Sequence, residues 1–363
     1  MQIICFYACN YYTKCAIIKC IYKKEVEPLE IMHDQTDNKW KRCGRDVGVL
    51  SFILILFNFS SRYLGYVFYY ISYWVLTGTF TGSWEEVRSY FADRPEINDS
   101  TTFVMLANIS ITVACVLIAL LIAGVFFKMT VWSYMMPTKQ GTLTALKWTP
   151  PSFVFNMISS TIIAFFTSFL SSMGVDVPTA DFSIHQPSVI AVVMQFSYVI
   201  VLAPLCEEII YRGLIIKTIA PYSKSAAVLV SALAFGLMHG NIPQAASAFC
   251  TGLIYAVIAL KCGSIIPTVI IHGLNNLIVN SPELAGALGI PYNRTVLSII
   301  EICVALFGFF VWFTDFKFLK FETSSDGEDK KLSFSKVLTN PMLIVYFSIL
   351  VIVIIVRIVQ ANS

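Results

Sequence analysis

The stretch VIAVVMQFSYVIVLAPLCEEIIYRG, residues 189–213, decides how the rest of the chain is read. From 189 to 206 it carries no charge, close to the run of about 20 apolar residues that a membrane helix needs. Glu207, Glu208 and Arg212 then follow without a break in the apolar pattern. A charge in the middle of a span costs at least about 2.5 kcal/mol, so charges there are functional candidates by default.

The whole chain suits that solvent. Of its 363 residues 57% are hydrophobic and 13% charged, with a mean hydropathy of +0.73, against about 25% charged in soluble domains. This excludes a soluble globule, and 28 Phe and 17 Tyr exclude a disordered chain. A net charge of +3 gives no footprint for nucleic acid. The expected fold is all-α and polytopic, with eight or nine membrane helices. Nine candidate spans fall at 47–76, 103–127, 153–173, 189–211, 225–240, 245–261, 264–280, 295–314 and 341–359.

Twenty of the 25 Lys and Arg residues fall in the N-terminal segment and in alternate loops, and three in the opposite loops. Basic loops stay cytoplasmic, which predicts a cytoplasmic N-terminus. The expected organisation is a basic cytoplasmic tail over 1–46, helices over 47–150, a core over 151–285, and C-terminal helices over 286–363 with a cytoplasmic loop at 315–340. Lys14 and Lys19 interrupt the apolar start, which therefore reads as tail rather than signal peptide, with Met32 as an alternative initiator. Cys5, Cys9, Cys15 and Cys20 are irregularly spaced and read as reduced thiols.

Polar groups concentrate in three successive apolar segments: Glu207, Glu208 and Arg212 in the first, Phe235 and His239 in ALAFGLMHG, and His272, Asn275 and Asn276 in VIIHGLNNLIVN. Residues four apart share a helix face, so Glu208 can pair with Arg212, Phe235 lies under His239, and His272 points with Asn276. Adjacent residues diverge by about 100°, which leaves Glu207 free to face a cavity as a proton acceptor. Taken singly, the Glu–Arg pair reads as a stabilising ion pair, His239 as an interfacial residue and Asn276 as interhelical glue. Three adjacent segments carrying all of them weaken that reading. Glu301 is set apart as a structural or oligomer contact.

The set suits peptide hydrolysis: Glu207 and His239 to polarise water, and His272 and Asn276 to donate to the tetrahedral intermediate. Glu207, His239 and His272 also compose a His₂Glu zinc set. Neither an H-E-x-x-H motif nor a rhomboid-type serine or presenilin-type aspartate motif occurs.

The order E-E-x-x-x-R, F-x-x-x-H, H-x-x-x-N resembles the CPBP intramembrane proteases, which include the type II CAAX prenyl endopeptidases and the bacterial Abi proteins linked to bacteriocin processing. It covers roughly residues 150–285. The resemblance implies a helical core with a conical cavity open to the cytosol, Glu207 as the water-activating glutamate, His239 as its partner, Glu208 and Arg212 as the ordering pair, and His272 and Asn276 as the oxyanion pair. It implies a peptide or lipidated-protein substrate, CAAX-type or a bacteriocin leader, in the plasma membrane of a bacterium or the endoplasmic reticulum of a eukaryote. A metal-free mechanism is preferred, with a divalent metal such as zinc as the alternative. A proton-relaying transporter and an idle scaffold are the competing classes.

The span boundaries create one tension. A span ending at 211 puts Glu207 about one turn inside the cytoplasmic face and His239 about 20 Å deeper. Either the Glu-Glu helix runs deeper than its charges suggest, or a segment is broken near Pro204 or Gly213.

Overall fold

The computed structural model describes residues 3–127, 139–179, 188–291, 293–319 and 327–363. Residues 128–138 and 320–326 of the expected cytoplasmic loops, and the side chains of Cys5, Cys9, Cys15 and Cys20, lie outside the described part.

Among the described residues every regular element is helical: α1 (Ile3–Thr77), α2 (Trp84–Ala92), a single turn at Pro95–Asn98, α3 (Thr101–Phe127), α4 (Lys139–Ser172), α5 (Val189–Ile219), α6 (Lys224–Leu237), α7 (Ile242–Cys262), α8 (Ile266–Ala287), α9 (Arg294–Asp315), α10 (Gly327–Leu338) and α11 (Pro341–Ala361). Seven of them, α1, α3, α4, α5, α7, α9 and α11, are long and apolar enough to cross a membrane. The chain is a polytopic all-α membrane protein. The other two expected spans are helices of a different kind. The segment expected at 225–240 is the 14-residue α6, and the one at 264–280 is α8, whose histidine and asparagines dilute its apolar run.

Several boundaries move. α1 is one helix from Ile3, so 3–46 continues directly into the first span. α4 starts at Lys139, inside the expected loop, and runs through Pro150 and Pro151. Two side chains satisfy carbonyls around that interruption, Thr149 Oγ1 donating to Ala145 O at 2.8 Å and Ser152 Oγ to Thr149 O at 2.8 Å. The expected loop at 315–340 contains α10.

α6 and α7 form a hairpin whose α7 packs on α4 and whose α6 packs on α5 and α11; α4 also packs on α9, α1 packs on α3 and α11, and α8 lies between α4 and α5. The main core joins Leu50, Ile53 and Leu54 of α1 to Ile210, Tyr211 and Ile215 of α5, to α6, and to Tyr346 of α11. Basic residues gather at one end of the bundle, where Lys147 pairs with Asp315 at 2.8 Å, Asn340 Nδ2 donates to Gly44 O at 2.9 Å and Tyr222 Oη donates to Asp46 at 2.6 Å. At the other end α2 docks through aromatic edges, Tyr69 on Phe91 and Tyr66 on Trp84.

Candidate active site

α5 carries the two glutamates, and its backbone is not uniform. Two π-helical stretches, Tyr198–Leu202 and Ile209–Ile215, flank a short α segment, Ala203–Glu208. Such insertions recur at functional sites because they widen the turn and re-aim side chains. Pro204 supplies a local cause. It has no N–H to give to Ile200 or Val199, four and five residues before it. The freed groups are used by α8. Asn276 Nδ2 donates to Val199 O at 2.8 Å. Gly273 lies so close that a Cβ there would stand 2.5 Å from Ile200 O.

The helix runs on to Ile219, so Glu207 lies about 18 Å from its basic end rather than one turn from it. This removes the depth mismatch with His239. Arg212 marks no interface: its guanidinium and the Glu208 carboxylate are both 0% exposed and meet at 2.8 Å, Nη1 to Oε1. Arg212 Nη2 donates to Gly252 O at 3.3 Å, and its Cζ lies 4.2 Å from the centre of the Phe235 ring. Glycine at 252 makes the room, since a Cβ would be 3.1 Å from both Arg212 Nη2 and Phe235.

His272 joins the two glutamates. Its Nδ1 donates to Glu208 Oε1 at 3.1 Å, and its Nε2 stands 3.7 Å from Glu207 Oε2. Glu207 is 19% exposed and Glu208 wholly buried, so the two neighbours face different surroundings. His272 lies edge-to-face on Phe235 at 5.4 Å, and His239 lies edge-to-face on the same ring at 5.3 Å. His239 Nδ1 donates to Phe235 O at 2.9 Å, which leaves Nε2 as an acceptor in the neutral ring.

Glu207, Glu208, Arg212, Phe235 and His272 are thus in one contact network, with His239 reached through Phe235. Among the described residues His239 makes no hydrogen bond to Glu207; the imidazole beside Glu207 is that of His272. Asn276 spends one amide N–H on Val199 and keeps a second. Glu301 is half-buried on α9, away from this network.

Behind His272 lies a further layer, in which Asn275 of the third polar segment meets Tyr255 and Ser152. The Tyr255 ring stacks at 5.5 Å from His272 with an interplanar angle of 35°. Asn275 Nδ2 donates to Tyr255 Oη at 2.6 Å and to Ser152 Oγ at 2.9 Å. A tyrosine in an apolar helix reads as core, and only the proximity of α4, α7 and α8 gives it this role.

A zinc site at Glu207, His239 and His272 would need their donor atoms to converge on one point. Among the described residues no three His, Cys, Asp or Glu side chains converge to hold one ion. The arrangement as it stands does not fit a metal held by Glu207, His239 and His272.

Residues 189–278, which carry Glu207, His239, His272 and Asn276, match the family model described as type II CAAX prenyl endopeptidase Rce1-like. No curated protein and no solved structure matches the chain.

Proposed function

We propose that this chain, whose residues 189–278 match the Rce1-like type II CAAX prenyl endopeptidase family model, is a multi-pass membrane endopeptidase that hydrolyses a peptide bond with water activated by Glu207. The observation that carries the reading is His272 standing between two glutamates, Glu208 buried and clamped by Arg212, and Glu207 partly exposed with the His272 Nε2 3.7 Å from its carboxylate.

The division of labour follows from those surroundings. Glu208 is consumed in holding Arg212 and His272, so it orders the site rather than exchanging protons with substrate. Glu207 is free to accept a proton from water and to return it to the leaving amine. His239, with Nδ1 donated to Phe235 O, offers Nε2 as a second acceptor for that water. His272 in its protonated form and the second N–H of Asn276 donate to the developing oxyanion. No step needs a metal in this scheme. The family match supports a prenylated CAAX peptide as substrate, and lends no support to a carrier.

The basic end of the bundle, with Lys147, Lys261 and Lys336, is proposed to face the cytoplasm together with the N-terminus.

The test is cleavage of a fluorogenic farnesylated CAAX peptide by purified protein in proteoliposomes. Glu207→Gln is expected to lower kcat by about 10²–10⁴-fold without a change in melting temperature. Cleavage retained in that variant overturns the reading.

A further inference from the structure

Arg357 is the only charged residue in α11, the last helix of the chain, 16 residues in from Pro341. Arg357 is exposed and lies four residues from the end of the helix, where a long cation can reach the membrane interface, and none of the chemistry above employs it. Its side chain reaches the turn between α6 and α7, where Nη1 donates to Gly240 O at 3.3 Å. Gly240 has φ +69, a left-handed conformation that glycine adopts at no steric cost. The missing side chain also makes a seat: a Cβ on Gly240 would stand 2.8 Å from Arg357 Nη1 and 3.1 Å from its Cζ. The backbone conformation calls for glycine, and the bare Cα leaves the guanidinium room to lie against it.

That turn carries His239. Its remaining fixings are local: His239 N–H donates to Gly236 O at 3.2 Å and Gly240 N–H to Leu237 O at 3.1 Å, while Asn241 caps α7 and donates Nδ2 to His239 O at 3.1 Å. Arg357 supplies a fixing from a distant part of the chain.

We propose that Arg357 is a positioning residue for His239, by which the last helix, outside residues 189–278, holds the α6–α7 turn in register with the glutamates on α5. The inference rests on the proposed peptidase reading for its consequence in catalysis, though the positioning itself does not need it. Arginine is suited to the task because a planar guanidinium can lie on the bare Gly240 Cα and donate to its carbonyl together, which a lysine ammonium cannot reproduce. A residue that merely reached for the membrane interface would be replaced by lysine without loss.

The experiment uses full-length protein in proteoliposomes with the farnesylated peptide. In parallel, modification of His239 and His272 by diethyl pyrocarbonate is followed by mass spectrometry. Arg357→Ala is expected to lower kcat about tenfold with KM within twofold, and to change the His239 modification rate at least threefold while that of His272 holds. Arg357→Lys is expected to recover only part of either loss. If Arg357→Ala does not fold, Arg357→Gln, too short to span the gap, is read in the same assays. An unchanged His239 modification rate, or full recovery by lysine, overturns the proposal. Full cleavage by Glu207→Gln overturns the peptidase reading instead, and the modification rates then still decide the role of Arg357.

Discussion

Glu208 and Arg212 meet at 2.8 Å with neither side chain exposed, one helical turn apart in α5. A buried ion pair is weak evidence for stability, but breaking it is expensive, at about 3–5 kcal/mol, because one charge is left without a partner. Arg212→Ala is therefore expected to unfold at markedly lower temperature and to lose activity with the fold. Glu208→Leu combined with Arg212→Met should recover much of the stability and none of the activity, since His272 Nδ1 then has no acceptor. Melting curves in detergent beside peptide cleavage separate the two effects. Activity equal to wild type in the double variant would remove Glu208 from the site.

The two histidines should respond differently. His272 touches both carboxylates and packs tilted on Tyr255 and edge-on against Phe235, whereas His239 is half-buried and its ring Nδ1 bonds to a backbone carbonyl, that of Phe235. Replacing His272 with Ala removes the acceptor pairing of a buried carboxylate, with an expected cost of about 1–3 kcal/mol. Replacing His239 with Ala should leave the melting temperature nearly unchanged while kcat falls. Equal destabilisation in both variants would contradict the asymmetry.

Much of this site was legible in the sequence because charge is so scarce in it. Glu207, Glu208, His239 and His272 stood out against apolar surroundings, and the four-residue spacing of Glu208 and Arg212 foretold their pairing. The same scarcity hides the end of α5: the charges at Glu207, Glu208 and Arg212 suggest a span ending at 211, although Glu208 and Arg212 neutralise each other one turn apart and the helix runs on past Lys217 to Ile219. The π segments left no periodic trace, and only Pro204 hinted that carbonyls would be freed. Ser152, Tyr255 and Asn275 lie on three helices, and no spacing within one helix could have joined them.

The α2 end of the bundle offers a pH dependence outside the membrane. Glu86 accepts from Tyr73 Oη at 2.6 Å and from Thr81 Oγ1 at 2.7 Å. The Tyr73 hydrogen bond, seconded by Thr81, holds its carboxyl below the ordinary 4.5. A depressed folded pKa contributes stability that is present above the unfolded value and is lost as pH falls through the folded one. Hydrogen exchange in Trp84–Ala92 should thus be constant from neutrality to about pH 5 and accelerate below pH 4.5, with a smaller acceleration for Tyr73→Phe, in which the folded carboxyl moves back toward its unfolded value. Exchange independent of pH, once intrinsic rates are removed, would show that this contact does not hold α2.

Metal dependence is separable from all of these. The proposed scheme draws protons from Glu207 and donors from His272 and Asn276, so activity should survive exhaustive chelation of the purified protein. Metal content by mass spectrometry and cleavage rate are read on the same sample. Activity that disappears with the metal and returns with one equivalent of zinc would restore the alternative in which Glu207, His239 and His272 rearrange around an ion.

The contact between Gly273 and Ile200 makes the sharpest test of how α8 is seated. A Cβ at 273 would stand 2.5 Å from the Ile200 carbonyl oxygen, and that atom is backbone, so no rotamer change relieves the overlap. Gly273→Ala must push α8 away from α5, at a cost of about 1–3 kcal/mol. The same movement lengthens two bonds that span the helices, His272 Nδ1 to Glu208 and Asn276 Nδ2 to Val199 O. Activity should therefore fall by more than the loss of folded protein explains, because one displacement disturbs two of the proposed groups together. Gly286→Ala, on the same helix with nothing within 4 Å of the added methyl, is the control and should stay within about 0.5 kcal/mol of wild type. Unaltered cleavage by Gly273→Ala would mean that the close approach of α8 is not what sets His272 between the glutamates.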